Sequence, residues 1–314
     1  MPVPPAWRAL ALTLLGEPEL TSGEVANAAD VELPDARRLW HALGFPPVPG
    51  DDQFFTRSDV AMLASVRALL QRGVHADALV QLARVAGQAM ARVAEAQVAA
   101  VASDGDDPEV VVARAAALVP SIESVLTYAW RRHLVAALLR AATAEDRDAS
   151  DVGLTVGFAD LVGFTAITRH LSQGELAATV DRFEAIAYEQ IPLRGGRVVK
   201  MIGDEVMFAA DDGAVAAEMA LGLVDACARD DLVPDVRVGL AAGPVVSWEG
   251  DLYGPTVNLA SRLVDTGRPG SVLVSDDLGR ELAGNPAFVL RHLRAVKLKG
   301  IGRVRAWVLR RATT

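Results

Sequence analysis

Two stretches some forty residues apart most restrict what this chain can become. Gly153–Thr165, GLTVGFADLVGFT, is an apolar run that ends in a carboxylate, Asp160, followed by a glycine-containing turn at Leu161–Phe164. Arg197–Phe208, RVVKMIGDEVMF, reads as a hairpin: a β-branched run, a Gly203–Asp204 turn, then a second apolar run. Laid side by side, the two strands bring Asp160 and Asp204 to the same edge of one sheet. Two carboxylates there, beside exposed turn amides, suit a divalent metal that carries phosphates.

The rest of the second half follows from that pair. From Leu154 the pattern runs strand, helices over Thr165–Ile191, strand Gly196–Met201, strand Glu205–Ala209, helix Gly213–Arg229 and strand Val236–Ala242. Read to Ala242 this is a βααββαβ, ferredoxin-like core of α+β class. Added elements follow: a strand at Val245–Trp248, a helix at Thr256–Asp265, and strands at Ser271–Ser275, Phe288–Leu290 and Arg303–Leu309.

FADLVGFT, KMIGDEVMF and DLYGPTVNLASRL, in that order, resemble the catalytic domain of the class III nucleotidyl cyclases, specifically the adenylyl cyclases, from about Gly153 to Trp307. The resemblance implies cyclisation of ATP to cyclic AMP, with two divalent cations (Mg²⁺ or Mn²⁺) per active site. It implies that Asp160, the Leu161 main chain and Asp204 hold the metal, with Gly163, Phe164 and Thr165 of the turn against the phosphates. Lys200 and Asp251 match the residues that read adenine. A Lys can donate to a ring nitrogen and an Asp can accept from the exocyclic amine, whereas guanine presents the reverse pattern. Guanylyl cyclases of the family typically carry Glu and Cys there. Asn258 and Arg262, four apart and so on one helix face, match the ribose-orienting Asn and the Arg at the transition-state α-phosphate. Lys299, in LKGIG, matches the lysine on the outer phosphates, with Lys297 as its competitor. In the family the site forms between head-to-tail protomers, one supplying the metal aspartates and the other the adenine pair, Asn and Arg. This chain carries both sets, so a homodimer with shared sites is expected.

Residues 1–148 read as all-helical, with 149–314 as the catalytic domain. Thr21-Ser-Gly-Glu24 and Thr56-Arg-Ser-Asp59 are capping-box starts. Helices are expected at Ser22–Asn27, Pro34–Leu43, Ser58–Gln71, Ala76–Ala102, Pro108–Leu118 and Ile122–Ala144, the last a connector to the first catalytic strand. In it, Ile122, Val125, Leu126, Leu134, Leu138 and Leu139 are expected to share one apolar face. RRLWHALGFP and QLARVAGQAMARVAEAQV resemble the N-terminal regulatory domain of acid-responsive mycobacterial adenylyl cyclases. That implies an autoinhibitory domain that responds to pH; His133, beside Arg131 and Arg132, is a candidate proton-sensing group.

Leu20–Leu82 also has the rhythm of a MerR-type helix-turn-helix, but charge opposes DNA binding. Residues 1–148 carry thirteen Arg against nineteen Asp and Glu, a balance of −6, and the whole chain stands at −9. No nucleic-acid partner is expected. The single cysteine, Cys227, excludes an intrachain disulfide and reads as a buried small hydrophobe. No apolar run of membrane-spanning length is expected either, and the location implied is the cytoplasm. A guanylate cyclase and a catalytically silent nucleotide sensor are the competing readings. Lys200 and Asp251 oppose the first, and the intact metal and transition-state positions oppose the second.

Overall fold

The computed structural model describes residues 5–48, 52–103, 105–145, 153–167, 169 and 171–312. It divides into two compact units, Met1–Leu139 and Arg140–Thr314.

In the first unit the described elements are six helices: α1 (Pro5–Leu15), α2 (Ser22–Ala29), α3 (Leu33–Ala42), α4 (Arg57–Gln71), α5 (Ala76–Val101) and α6 (Pro108–Glu145), whose last residues pass into the second unit. Both expected capping boxes form. The Thr21 side chain accepts from the Glu24 N–H while Glu24 accepts from the Thr21 N–H, and Thr56 and Asp59 form a second box in the same way. Each box satisfies amide groups that a helix start leaves without partners. Val25, Ala36, Leu39, Trp40, Phe55 and Leu63 make the core, with Trp40 stacked on Phe55 at 4.4 Å between ring centres. Beside it lies a cavity of about 870 Å³, lined by apolar residues including Leu12, Leu43, Phe54 and Met62. The Ser22 hydroxyl and the Trp40 indole N–H, which also border it, are buried without a hydrogen-bond partner.

Four expectations for this unit are corrected. Helix α1 was not foreseen. The two helices expected at Pro108–Leu118 and Ile122–Ala144 are one helix of 38 residues that runs through Pro120. Proline costs a helix an N–H donor and a steric clash. Here α6 is held on the N-terminal side of Pro120 by α5: Gln97 donates to the Ala115 carbonyl at 2.8 Å, and Val112 and Ala115 are buried. The apolar residues of the connector do not form one face. Val125, Leu134, Leu138 and Leu139 are exposed, together with Tyr128, Trp130 and Val135, and at about 100° per residue these positions ring the helix. As a result Pro108–Ala142 is long and apolar enough to cross a membrane by length and composition alone, which the sequence reading had denied to every segment.

The second unit is built on a seven-stranded sheet of order β2-β3-β1-β4-β7-β11-β8. Its strands are β1 (Leu154–Leu161), β2 (Arg197–Ile202), β3 (Glu205–Ala210), β4 (Val236–Gly243), β7 (Val272–Ser275), β8 (Phe288–His292) and β11 (Ala306–Arg311). The order β2-β3-β1-β4, all antiparallel, with α8 (Gln173–Leu193) joining β1 to β2 and α9 (Gly213–Cys227) joining β3 to β4, is the expected ferredoxin-like core. The fold is α+β. Side chains alternate across β1: Leu154, Val156 and Phe158 pack on the side of α10 (Pro255–Thr266), while Ala159 and Leu161 pack with Phe183, Ile186 and Leu223 of α8 and α9. The span expected as helices over Thr165–Ile191 divides into α7 (Phe164–Ile167) and α8, which restarts at a Ser172–Glu175 capping box. Cys227 is buried among α9 core residues, and burial pushes its thiol pKa up to about 12.

The strand expected at Val245–Trp248 forms as β5 (Val246–Trp248), but its hairpin partner β6 (Asp251–Tyr253) was not expected, nor was Val296–Leu298 (β9). The strand expected at Arg303–Leu309 is two: Gly302–Val304 (β10), which pairs with β9 as a separate ribbon, and β11. Helix α11 (Asp276–Glu281) follows β7 directly, capped by Ser275. Two or three alternating positions carry too little periodicity to register as a strand.

Candidate active site

Strand register brings the first group together. On β1, Asp160 lies opposite Glu205 of β3 on one side and Arg237 of β4 on the other. Directly opposite residues of an antiparallel pair share a face, so Asp160, Glu205 and Arg237 share the α10 side. The Leu161 N–H donates to the Asp204 carbonyl at 3.2 Å, which fixes the Gly203–Asp204 turn beside the end of β1. Gly203, at φ +64, and Gly163, at φ +73, adopt a backbone that only glycine reaches without strain. Asp160, Leu161 and Asp204 thus meet at one sheet edge, followed by the turn through Gly163 to Phe164. Thr165 lies in α7, its side chain outside the described residues.

This edge is rich in negative charge. Desolvation is the main cause that raises the Asp160 carboxyl above its ordinary pKa, opposed by the Arg237 hydrogen bond; Asp204 and Asp265 push in the same direction as burial. Glu205 is raised to about 7, first by burial and then by Asp160, Asp265 and Asp204. Arg237 grips Asp160 through Nη2 at 2.6 Å and Nε at 2.9 Å. One guanidinium among several carboxylates leaves room for a further cation. The donors are all oxygen: the Asp160 and Asp204 carboxylates and the Leu161 carbonyl, a hard set that suits Mg²⁺ or Mn²⁺. Among the described residues no group of three or more His, Cys, Asp or Glu forms a closed metal cage. An ion here therefore needs waters and substrate oxygens to complete its shell, as Mg²⁺ sites commonly do.

The second group lies on the same face. Lys200 on β2 and Asp251 on β6 form an ion pair, partly buried. Asp251 also accepts from the Leu252 N–H at 2.8 Å, which orients its carboxylate. Lys200 belongs to one strand of the hairpin whose turn carries Asp204, so the hairpin contributes to both groups. Asn258 and Arg262 stand exposed on α10. The helix starts at Gly254, with Pro255 at its first position, and lies close over β4, where a Cβ on Gly239 would come within 2.4 Å of the Ala260 carbonyl. Arg262 pairs with Asp265 at 3.0 Å, and the Asp265 carbonyl accepts from Arg237 at 3.3 Å. Arg262 is thus joined to the Asp160 edge through Asp265 and Arg237. Lys299 stands exposed in the β9–β10 turn; its neighbour Leu298 packs with Leu263 of α10.

Sequence reasoning passed over three residues. Arg237, Glu205 and Asp265 border the Asp160 edge. The one available signal was Arg237 itself, a lone charge inside the apolar run VRVGLAAG, since a charge in a buried strand needs a partner.

Comparison with known proteins places these groups in context. The family described as "Adenylate and Guanylate cyclase catalytic domain" matches residues 148–311, and the family described as "Adenylate cyclase regulatory domain" matches residues 9–141. An adenylate cyclase of Streptomyces coelicolor is 40% identical over 89% of this chain and 76% of its own length. One of Glutamicibacter nicotianae is 35% identical over 94% of this chain and 79% of its own. A pH-sensitive adenylate cyclase of Mycobacterium tuberculosis is 30% identical, with 94% and 79% covered.

Proposed function

The chain belongs to the adenylate and guanylate cyclase catalytic-domain family, joined to an adenylate cyclase regulatory domain, and from that premise we propose that it is an adenylate cyclase that converts ATP to 3′,5′-cyclic AMP and pyrophosphate. The ribose 3′-oxygen forms a bond to the α-phosphorus, the bond to the bridging oxygen of the β-phosphate breaks, and the hydroxyl proton is released. Bound divalent cations would activate the attacking oxygen and neutralise the leaving phosphates. Asp160, the Leu161 carbonyl and Asp204 would hold them, and the turn through Gly163, Phe164 and Thr165 would receive the phosphates. Two such ions, Mg²⁺ or Mn²⁺, per site is the reading we adopt.

The observation that carries ATP over GTP is the Lys200–Asp251 pair, a donor and an acceptor held side by side. Asn258 orients the ribose, Arg262 meets charge that develops on the α-phosphate, and Lys299 grips the outer phosphates. In the head-to-tail homodimer of this reading, Asn258 and Arg262, which stand exposed on α10, complete the site of the second copy. We assign residues 149–314 to catalysis and 1–148 to regulation, and place the protein in the cytoplasm, with no nucleic-acid partner.

Regulation by acid is supported by the pH-sensitive relative. A second reading of the input, an apolar ligand, is favoured by the 870 Å³ cavity and the apolar residues that line it. The test measures cyclic nucleotide formed from ATP and from GTP with Mn²⁺ or Mg²⁺, by the full chain and by residues 149–314, across pH 5–8. Cyclic AMP from ATP, restrained in the full chain except in acid, is expected. Arg262→Ala should cost ~10²–10³ in kcat. Absence of any cyclic nucleotide from both proteins would end the enzyme reading.

A further inference from the structure

Between β4 and α10 the chain makes one excursion: it leaves the sheet at Gly243, forms the β5–β6 hairpin and enters the helix at Pro255. Asp251 stands on that hairpin, opposite Trp248, and Asn258 lies near the start of the helix. A hairpin with three residues to a strand does not hold its own shape, so its anchors decide where Asp251 sits. One anchor is Leu252, buried with Phe158, Met207 and Ala260. The other is Thr256, 6% exposed, whose hydroxyl donates to the Pro244 carbonyl at 2.7 Å and closes the base of the excursion. On the reading that Lys200 and Asp251 select adenine, which this inference rests on, we propose that Thr256 is a positioning residue for base selection: its hydroxyl fixes the hairpin that carries Asp251 to the helix that carries Asn258.

The surroundings are built for a hydroxyl at this position. Helix α10 starts at Gly254, which has no side chain to cap it, and Thr256 is its second residue. The Thr256 hydroxyl donates away from its own helix, to the residue just after β4, so the bond joins two elements. Gly243 lies beside it: a Cβ there would come within 2.8 Å of Thr256 Oγ1, and its φ of +152 favours glycine. Leu252, next to Asp251 in the chain, holds the hairpin at its middle, and one anchor leaves a small body free to rock about it. The Thr256 bond, at the base, removes that freedom. Asp251 has to stay in register with Lys200, which stands on β2 and pairs with it. A donor and an acceptor reject guanine only while both keep their places, since rejection depends on leaving guanine's polar groups mismatched. A hairpin that rocks relaxes the mismatch.

The experiment uses the full chain with Mn²⁺ in mixtures of ATP and GTP, where the ratio of cyclic AMP to cyclic GMP formed reports the ratio of the two kcat/KM values. That ratio does not depend on how much of the enzyme is folded, so a residue that only stabilises the fold leaves it unchanged. Thr256→Val keeps the shape and removes the hydroxyl. It should lower the preference for ATP by about 2- to 10-fold, the range that one hydrogen bond supplies, and Thr256→Ser, which keeps the hydroxyl, should restore it. Gly243→Ala presses on the hydroxyl with Thr256 in place and should lower the preference in the same direction; it carries the test if Thr256→Val does not fold. A Thr256→Val enzyme with the wild-type preference, or a loss that Thr256→Ser does not restore, overturns the positioning role and leaves the cyclase reading standing. A wild-type enzyme with no preference for ATP overturns the adenine reading of Lys200 and Asp251, and this inference with it.

Discussion

Glu205 shows how a single residue registers the charge crowding at the site. Its carboxyl is raised from 4.5 to about 7 by burial and by Asp160, Asp265 and Asp204. Between those two values the folded state therefore holds a proton that the unfolded chain has lost, so stability falls as pH rises through this window. Glu205→Gln removes that dependence. In chelator-treated protein, urea unfolding should find the Gln variant more stable than wild type at pH 8, by at most about 3 kcal/mol. Near pH 4.5 the advantage should vanish, because Glu205 is then protonated in the folded state. A divalent cation acts in the opposite direction to the proton, so Mn²⁺ should stabilise wild type more at pH 8 than at pH 5.

Among the elements, helix α10 and strand β4 matter most for the site, because Asn258, Arg262 and Asp265 sit on the helix and Arg237 on the strand. They meet at Gly239, where an added Cβ would lie 2.4 Å from the Ala260 carbonyl and 2.6 Å from the Val264 amide. Backbone gives way less readily than a side-chain tip, so the helix itself must move. Gly239→Ala should destabilise the protein by about 1–3 kcal/mol. It should also lower kcat by more than the loss of folded protein explains, since α10 and Arg262 move relative to Arg237. Thermal melting together with activity per folded molecule separates the two effects. Elsewhere local rules were readable without the structure: the Thr21–Glu24 and Thr56–Asp59 boxes, and the β2–β3 hairpin about Gly203, each depend on residues close in sequence. The unbroken course of α6 through Pro120 was not readable, because a proline argues locally for a break while the opposing contacts come from α5, such as that of Gln97 with Ala115.

For the molecule as a whole, the proposal of shared sites predicts complementation. Asp160→Ala and Arg262→Ala should each be inactive alone, because each removes one half from both sites of a homodimer. Mixed after partial unfolding and refolding, they should regain up to about a quarter of wild-type activity, since half the dimers are mixed and each of these has one intact site. A mixture as inactive as its parents would show that each protomer works alone.

The sequence by itself determined the α+β class, the ferredoxin-like order of strands and helices as far as Ala242, and the identity of the two aspartates that meet at one edge. Those features follow from side-chain periodicity, turn residues and motifs that are local in the chain. Only the tertiary structure decided what surrounds Asp160. Arg237 lies 77 residues away and becomes its neighbour through the β1–β4 register, while Glu205 does so through the β1–β3 register. Asp265 is added by the close seating of α10 on Gly239. No local pattern encodes such a neighbour, because strand register is set by burying one face of every strand at once, and a shift of one residue would turn Arg237 away from Asp160.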